Sequence, residues 1–196
     1  MSNKKYFVHE TSCVDQNVII GDDTKIWHFS HIQKGARIGN NCTFGQNVNI
    51  GNNVKIGNFC KIQNNVSIYE GVELEDYVFC GPSMVFTNIK RPRSEFPQNK
   101  SENYEITLIK KSVTIGANAT IICGITIGKY VFIGAGTVVT KNIPDFAIVV
   151  GNPGVVVGWV NLYGDKLSFD KNGVSICPKT NDKYQLSNNH VKLVDE

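Results

Sequence analysis

The sequence predicts an all-β chain: a parallel β-helix of six-residue repeats, with one long extruded loop and a small C-terminal antiparallel cap. Three observations predict it. First, an apolar residue returns every six positions, from Val14 through Ile20, Ile26, Ile32, Ile38, Phe44, Ile50, Ile56, Ile62, Ile68, Leu74 and Cys80 to Phe86. At average apolar usage such a run arises by chance roughly once in 10^5 trials, so the repeat is real. Second, a mostly small or β-branched set follows four residues after each marker: Val18, Thr24, Ser30, Ala36, Cys42, Val48, Val54, Cys60, Val66, Val72 and Val78. Third, the period stops after Phe86 and resumes at Ile109, Ile115, Ile121, Ile127, Ile133 and Val139, shifted by one residue. Neither a helix nor a half-buried strand gives a period of six. Two inward positions in six make a short strand plus a corner, and stacked coils close their hydrogen bonds on one another at about 4.8 Å.

Each element has its own signal. Gly21, Gly39, Gly45, Gly51 and Gly57 directly follow a marker, where the backbone of the next coil approaches a corner closely. Asn41, Asn47, Asn53 and Asn65 stand three residues after a marker, where a turn asks for the left-handed conformation that asparagine tolerates. The aperiodic stretch TNIKRPRSEFPQNKSENYEITL, with two prolines and several charges, predicts a loop over 87–108 thrown out of the helix, and long loops in regular scaffolds usually carry function. The helix domain is expected over 1–163. From about Gly164 a weak alternation (KLSF, YQL, VKLV) predicts a β cap over 164–196 that blunts the open edge of the last coil.

Composition narrows the function. The 20 Lys and Arg stand against 17 Asp and Glu, without a basic run or basic-aromatic alternation, which argues against nucleic acid as partner. No apolar stretch approaches the ~20 residues of a membrane span and MSNKKYFVHE lacks a signal core, so a soluble cytoplasmic protein is expected. The six cysteines form no CxxC pair, and Cys42, Cys60 and Cys80 fall on core positions, which predicts reduced, buried thiols. Cys177 stands alone in the cap. A metal held by three histidines on facing coils needs more than His28 and His31, the only pair within the repeat, so no metal site is expected.

The repeat, together with IGANATIICGITIG, IGAGTVVTKNIP and VVGNPGVVVG, resembles the hexapeptide-repeat acyltransferases over about residues 8–160. The resemblance implies a left-handed prism of 18-residue coils, whereas ordinary parallel crossovers favour the right hand. The set WHFSHI, GQNV, KIQNNVSIYEGV and FCGPSMVFTN…PRS looks like the N-acetyltransferases of nucleotide-linked 3-amino sugars. Within these it looks most like those acting on UDP-2-acetamido-3-amino-2,3-dideoxyglucuronate in O-antigen and lipopolysaccharide biosynthesis. That resemblance implies acetyl-CoA as cosubstrate and a homotrimer with each active site between subunits. The chain departs from the uronate pattern after PRS, where EFPQNKSENYE replaces a basic segment. A dTDP-3-amino-3,6-dideoxyhexose therefore competes as the acceptor. An O-acetyltransferase of the same fold and a non-catalytic scaffold compete with both.

The chemistry favours an amine. A sugar hydroxyl needs a general base, typically histidine, yet His9, His28, His31 and His190 all lie outside the loop and the C-terminal coils. An amine with the α-amino reference near 8 is already on the order of a tenth unprotonated at pH 7. By resemblance Asn88, at the start of the loop, accepts a hydrogen bond from the sugar amine, positioning rather than deprotonating it; a turn-forming asparagine is the plainer reading. Positions 18 apart stack, aligning His28, Gln46, Asn64 and Pro82 in one column and His31, Asn49, Ser67 and Val85 in its neighbour. These columns are expected to face the adjacent subunit and the nucleotide-sugar, with solvated corners as the plainer reading. Lys90, Arg91 and Arg93 in the loop suit a diphosphate or carboxylate. For coenzyme A, Gly116, Ala117, Gly134 and Ala135 leave room for the pantetheine arm, Lys141 stands where a phosphate or only solvent would meet it, and Asn152 and Pro153 flank the nucleotide end.

Overall fold

A computed structural model describes residues 5–194. It is a left-handed parallel β-helix whose coils are triangles of two-residue strands. The first face is a nine-stranded sheet from Phe7–Val8 to Val155–Trp159, the second a seven-stranded sheet from Cys13–Val14 to Val138–Val139, and the third a six-stranded sheet from Ile19–Ile20 to Thr126–Ile127. Register partners lie 18 residues apart, as in Lys25 with Thr43 and His31 with Asn49. Across the loop they lie 35 apart, as in Val85 with Thr120. The insertion thus amounts to one residue short of a coil, which is why the period resumes one residue out of frame.

The six-residue marker is the inward position. Ile26, Ile32, Phe44, Ile50, Ile62 and Ile68 are fully buried, as are Ile109, Ile115, Ile121, Ile127, Ile133 and Val139. The second set fills the corners, with Ala36, Cys42, Cys60, Val66 and Val78 inaccessible. Burying each aliphatic side chain contributes roughly 1.5–3 kcal/mol, and because every coil repeats it, the core is a continuous column. Cys42, Cys60 and Cys80 belong to this column and Cys177 is buried in the cap, whereas Cys13, against the expectation of buried thiols, is exposed at the first coil. Burial pushes the Cys80 thiol well up, and the neighbouring Cys42 together with burial does the same at Cys60, so these are packing groups and not nucleophiles.

The corners work as the asparagines predict, with φ of 56–61° at Asn41, Asn47, Asn53 and Asn65. A Cβ on Gly21 would lie 2.4 Å from Asn40 Oδ1 and 2.5 Å from the Gly39 backbone, which explains glycine after the marker. The surprise is aromatic residues in the same left-handed conformation: Phe29, Phe59, Tyr77, Tyr130 and Phe146. That conformation costs an L-residue roughly 1–2 kcal/mol. Stacking of Phe59 on Tyr77 (4.8 Å between centroids) and of Tyr130 on Phe146 (5.0 Å) offsets a comparable amount, about 0.5–1.5 kcal/mol per pair.

Two features differ from the sequence reading, while the antiparallel cap is as expected. The loop ends at 106, because Thr107 and Leu108 already pair with Val72 and Glu73. The open edge of the first face is covered by Val155–Trp159, which turns back antiparallel on Ala147–Val150, and not by the cap. The cap is a three-stranded antiparallel sheet (Val174–Ile176, Lys183–Ser187, His190–Val194). It packs through the buried Tyr184 edge-on against Phe146, and the Tyr184 hydroxyl accepts the Leu162 N–H at 3.2 Å. Residues 1–4 and 195–196 of the expected spans lie outside the described residues. No helix among the described residues is long and apolar enough to cross a membrane.

Candidate active site

The loop leaves the prism at the corner between the second and third faces, and its base is built by hydrogen bonds. The Asn88 carbonyl accepts the Glu105 N–H at 2.9 Å, which ties the two ends of the loop together. Thr87 Oγ1 accepts the Cys123 N–H at 2.9 Å, and Thr107 Oγ1 accepts the Gly124 N–H at 3.1 Å. Asn88 is half-buried, and its Nδ2 donates to the Glu70 carbonyl one coil below at 3.3 Å. That bond orients the amide and leaves Oδ1 without a partner among the described residues, an acceptor aimed by its own donor.

The predicted column is real. Asn47 N–H bonds the His28 carbonyl, Asn65 N–H the Gln46 carbonyl, Ser83 N–H the Asn64 carbonyl and Asn118 N–H the Pro82 carbonyl. The same edge continues through Ala117, whose carbonyl accepts the Gly136 N–H. His28, Gln46 and Asn64 therefore share the edge between the first and second faces with Gly116, Ala117, Gly134 and Ala135. Ala117 stands four coils beyond His28, roughly 19 Å at the strand spacing. Asn64 has a structural task as well, since its Oδ1 accepts the Gln46 N–H at 2.8 Å and only its Nδ2 is left for a ligand. His28 is stacked on His9, with ring centroids 3.5 Å apart, and lies nearly parallel to Trp27.

Along that edge the glycines admit the chain's own neighbouring segments, as Gly21 does lower in the stack. A Cβ on Gly116 would lie 2.4 Å from the Ala135 N, and one on Gly134 would lie 2.9 Å from a Val150 methyl. At the upper end of this edge Thr137 is buried and its Oγ1 has no hydrogen-bond partner among the described residues. The equivalent Ser30 hydroxyl donates to the Gly45 carbonyl and accepts the Val48 N–H; Thr137 stands on the last coil, with no coil above to complete the pattern. Over it runs the exit segment: the Gly151 carbonyl accepts the Val138 N–H, and the Gly154 N–H donates to the Val138 carbonyl at 2.7 Å. This leaves Asn152 and Pro153 exposed.

The chain does not bring all predicted residues together. Asn88 follows Val85–Phe86 at the far edge of the second face from Pro82, a separation of up to about 20 Å for six extended residues. Lys141, after Val138–Val139, lies on the Asn88 edge and is exposed. Arg93 is exposed in the loop, where Nη1 donates to the Pro92 carbonyl at 3.2 Å. Sequence reasoning passed over two groups. Glu105 sits at the aperiodic end of the loop, with its carboxylate 3.1 Å from where a Gly124 Cβ would be. Thr137 reads in sequence as one more corner residue, and only the ending of the stack makes its hydroxyl unusual.

Comparison with known proteins fits this architecture. The family model described as bacterial transferase hexapeptide (six repeats) matches residues 17–52 and 106–141, and a hexapeptide repeat of succinyl-transferase matches 35–70. The dTDP-3-amino-3,6-dideoxy-alpha-D-galactopyranose 3-N-acetyltransferase of Aneurinibacillus thermoaerophilus is 42% identical over 179 residues, 91% of each chain. A variant of AntD, an N-acyltransferase from Bacillus cereus solved with dTDP and coenzyme A, superposes with a TM-score of 0.53 at 18% identity, over 81% of this chain and 84% of that one. A variant of perosamine N-acetyltransferase from Caulobacter crescentus, solved with coenzyme A and GDP-perosamine, gives a TM-score of 0.51 at 18% identity over 77% of this chain. The present chain spans 55% of that longer protein. At such identities the two structures speak to the fold alone.

Proposed function

The chain belongs to the hexapeptide-repeat N-acetyltransferases of nucleotide-linked amino sugars, and from that premise we propose that it acetylates the 3-amino group of a dTDP-linked 3-amino-3,6-dideoxyhexose, with acetyl-CoA as donor. The relative from Aneurinibacillus, matched along 91% of both chains, is named for such a sugar. The observation that carries the chemistry is Asn88, whose Oδ1 is free while its Nδ2 is held by Glu70. In the proposed reaction Oδ1 accepts one N–H of the sugar amine and directs the nitrogen lone pair at the thioester carbonyl. The C–N bond forms, the C–S bond breaks, and the amine's proton leaves with the coenzyme A thiolate or to solvent. Positioning supplies the rate, and no protein base is required.

The orphaned Thr137 hydroxyl and the exposed exit segment support acetyl-CoA along that edge, with Gly116, Ala117, Gly134, Ala135, Asn152 and Pro153 beside it, while Lys141, on the Asn88 edge, meets its phosphate only from a neighbouring chain. His28, Gln46, Asn64 and Arg93 are proposed for the nucleotide-sugar. Because Asn88 and the His28 column occupy opposite edges of one face, a single site using both needs a second chain, so the active form is proposed to be a homotrimer working in the cytoplasm. Phe96 at 67% and Ile106 at 71% exposure in the loop support this, since their own chain offers them no cover. A UDP-linked uronate is the second reading, favoured by the exposed Lys90, Arg91 and Arg93. The deciding assay is thiol release from acetyl-CoA with the dTDP-linked 3-amino-6-deoxy sugar, its UDP uronate counterpart and a hydroxyl-only nucleotide sugar. Release with the first alone is expected; release with the hydroxyl sugar would overturn the amine reading.

A further inference from the structure

Histidine counting excludes a three-histidine metal centre, but the folded chain adds two other donor types to His31. Cys13 and His31 are direct register partners on adjacent strands of the second face, so their side chains leave the same side of the sheet one strand spacing apart. Asp15 lies two residues beyond Cys13, hence on that side as well. Asp15 Oδ1 lies 2.9 Å from His31 Nε2 and 3.9 Å from Cys13 Sγ, and the three donor atoms fall within 4.8 Å of one another. We propose that Cys13, Asp15 and His31 form a binding site for a divalent transition cation of the zinc type, clamping the first coil to the second.

The chemistry and the spacing agree. Zinc takes thiolate, imidazole and carboxylate ligands at about 2.0–2.3 Å, so donors of a tetrahedral site stand roughly 3.3–3.8 Å apart. The Cys13 to Asp15 distance meets this within a tenth of an ångström, the Asp15 to His31 pair has to open by a few tenths, and the Cys13 to His31 pair, within 4.8 Å, closes by up to about 1 Å through side-chain rotation at this exposed position. Rigid paired strands fix two of the three ligands before any ion arrives. Binding sends the Cys13 thiol proton and the His31 Nε2 proton to solvent, and the fourth position faces outward for water. A thiol on an exposed strand position is unusual in itself: the other five cysteines are buried. In the coils above, the Cys13 column continues with Asn49, Ser67 and Val85, which offer no comparable donor set. The site also sits where the prism is weakest. The inward residues of the first coil, Val8, Val14 and Ile20, are only partly buried, in contrast to the sealed coils above, so a cation bridging coils one and two stabilises the end that packing leaves loose.

The test is Co2+ titration of the full chain, read by the thiolate-to-cobalt charge-transfer band in the near ultraviolet. One Co2+ per chain, displaced by Zn2+, is expected, together with a rise in unfolding temperature on adding Zn2+. Cys13→Ser should abolish the band, and His31→Ala should weaken Co2+ binding by at least on the order of tenfold, while Cys13→Ser keeps the thiol-release activity of the unmetallated protein. That retained activity separates this proposal from the acetyl-transfer reading. Absence of the band in the unaltered chain, or its persistence in Cys13→Ser, overturns the site and leaves only a hydrogen bond between His31 and Asp15.

Discussion

At the scale of single residues the site separates into groups that hold themselves and groups that wait for something. Asn88 is of the first kind, with one amide arm tied to Glu70 and the other free to act. Asn88→Ala removes that acceptor and leaves the prism intact, because the backbone bond between Asn88 and Glu105 survives the change. The expected result is a fall in kcat of about a hundredfold, with an unfolding temperature within a few degrees of the original; a variant of undiminished kcat would remove Asn88 from the mechanism. Thr137 is of the second kind. A buried hydroxyl without a partner costs about 1–3 kcal/mol, so Thr137→Val, close to it in shape, should stabilise the free chain by about 1 kcal/mol while raising the KM for acetyl-CoA. Stabilisation with an unchanged KM would mean that the hydroxyl is an accident of where the stack ends.

At the scale of elements, the cap packs through buried side chains such as Tyr184, as the prism does, and adds one solvent-exposed ion pair that pH can read. Lys179 donates to Asp165 Oδ2 at 2.7 Å, and this bond holds the Asp165 carboxyl below the usual range and the Lys179 ammonium above it. A depressed carboxyl stabilises the fold above its unfolded value, about 3.9, and that contribution fades as pH falls through the lower folded value. A raised lysine stabilises below about 10.4 and loses its effect as pH rises through the higher folded value. Asp165→Asn should therefore lower the unfolding temperature of the cap near pH 7 and have no effect well below pH 3, a contrast readable by hydrogen exchange at Lys183–Ser187. The prism was legible in the sequence because one inward residue in six repeats on either side of the loop, and the loop was legible because Phe86 and Ile109 fall out of phase. The aromatic corners were not: Phe59 and Tyr77 violate the local preference for asparagine or glycine and are tolerated only because each finds the other one coil away. Val155–Trp159 was also hidden, since VVVGW has no alternation to mark it as an edge strand returning antiparallel. Of the site, the stacked column of His28, Gln46 and Asn64 followed from arithmetic, whereas Glu105 and Thr137 depend on where the loop closes and where the coils stop.

At the scale of the whole molecule, the separation of Asn88 from the His28 column becomes a prediction about assembly. Both lie on the borders of the second face, but a face is as wide as six residues, so one chain presents each half of the proposed site on a different edge. If neighbouring chains join these halves, then His28→Ala combined with Gln46→Ala in one chain and Asn88→Ala in another are each strongly impaired alone but damage different partners of every shared site. Refolding or co-expressing the two in equal amounts gives random trimers in which about a quarter of the sites draw an intact Asn88 from one chain and an intact His28 column from its neighbour. Activity of the mixture should therefore rise to about a quarter of the unaltered enzyme, far above either parent, and should fall on dilution to the point where light scattering reports single chains. A site contained within one chain permits no such rescue, because every copy then carries one broken half. Mixtures no more active than their parents, in samples shown to have exchanged subunits, would place both halves of the chemistry on one chain and force the acceptor to lie across the second face.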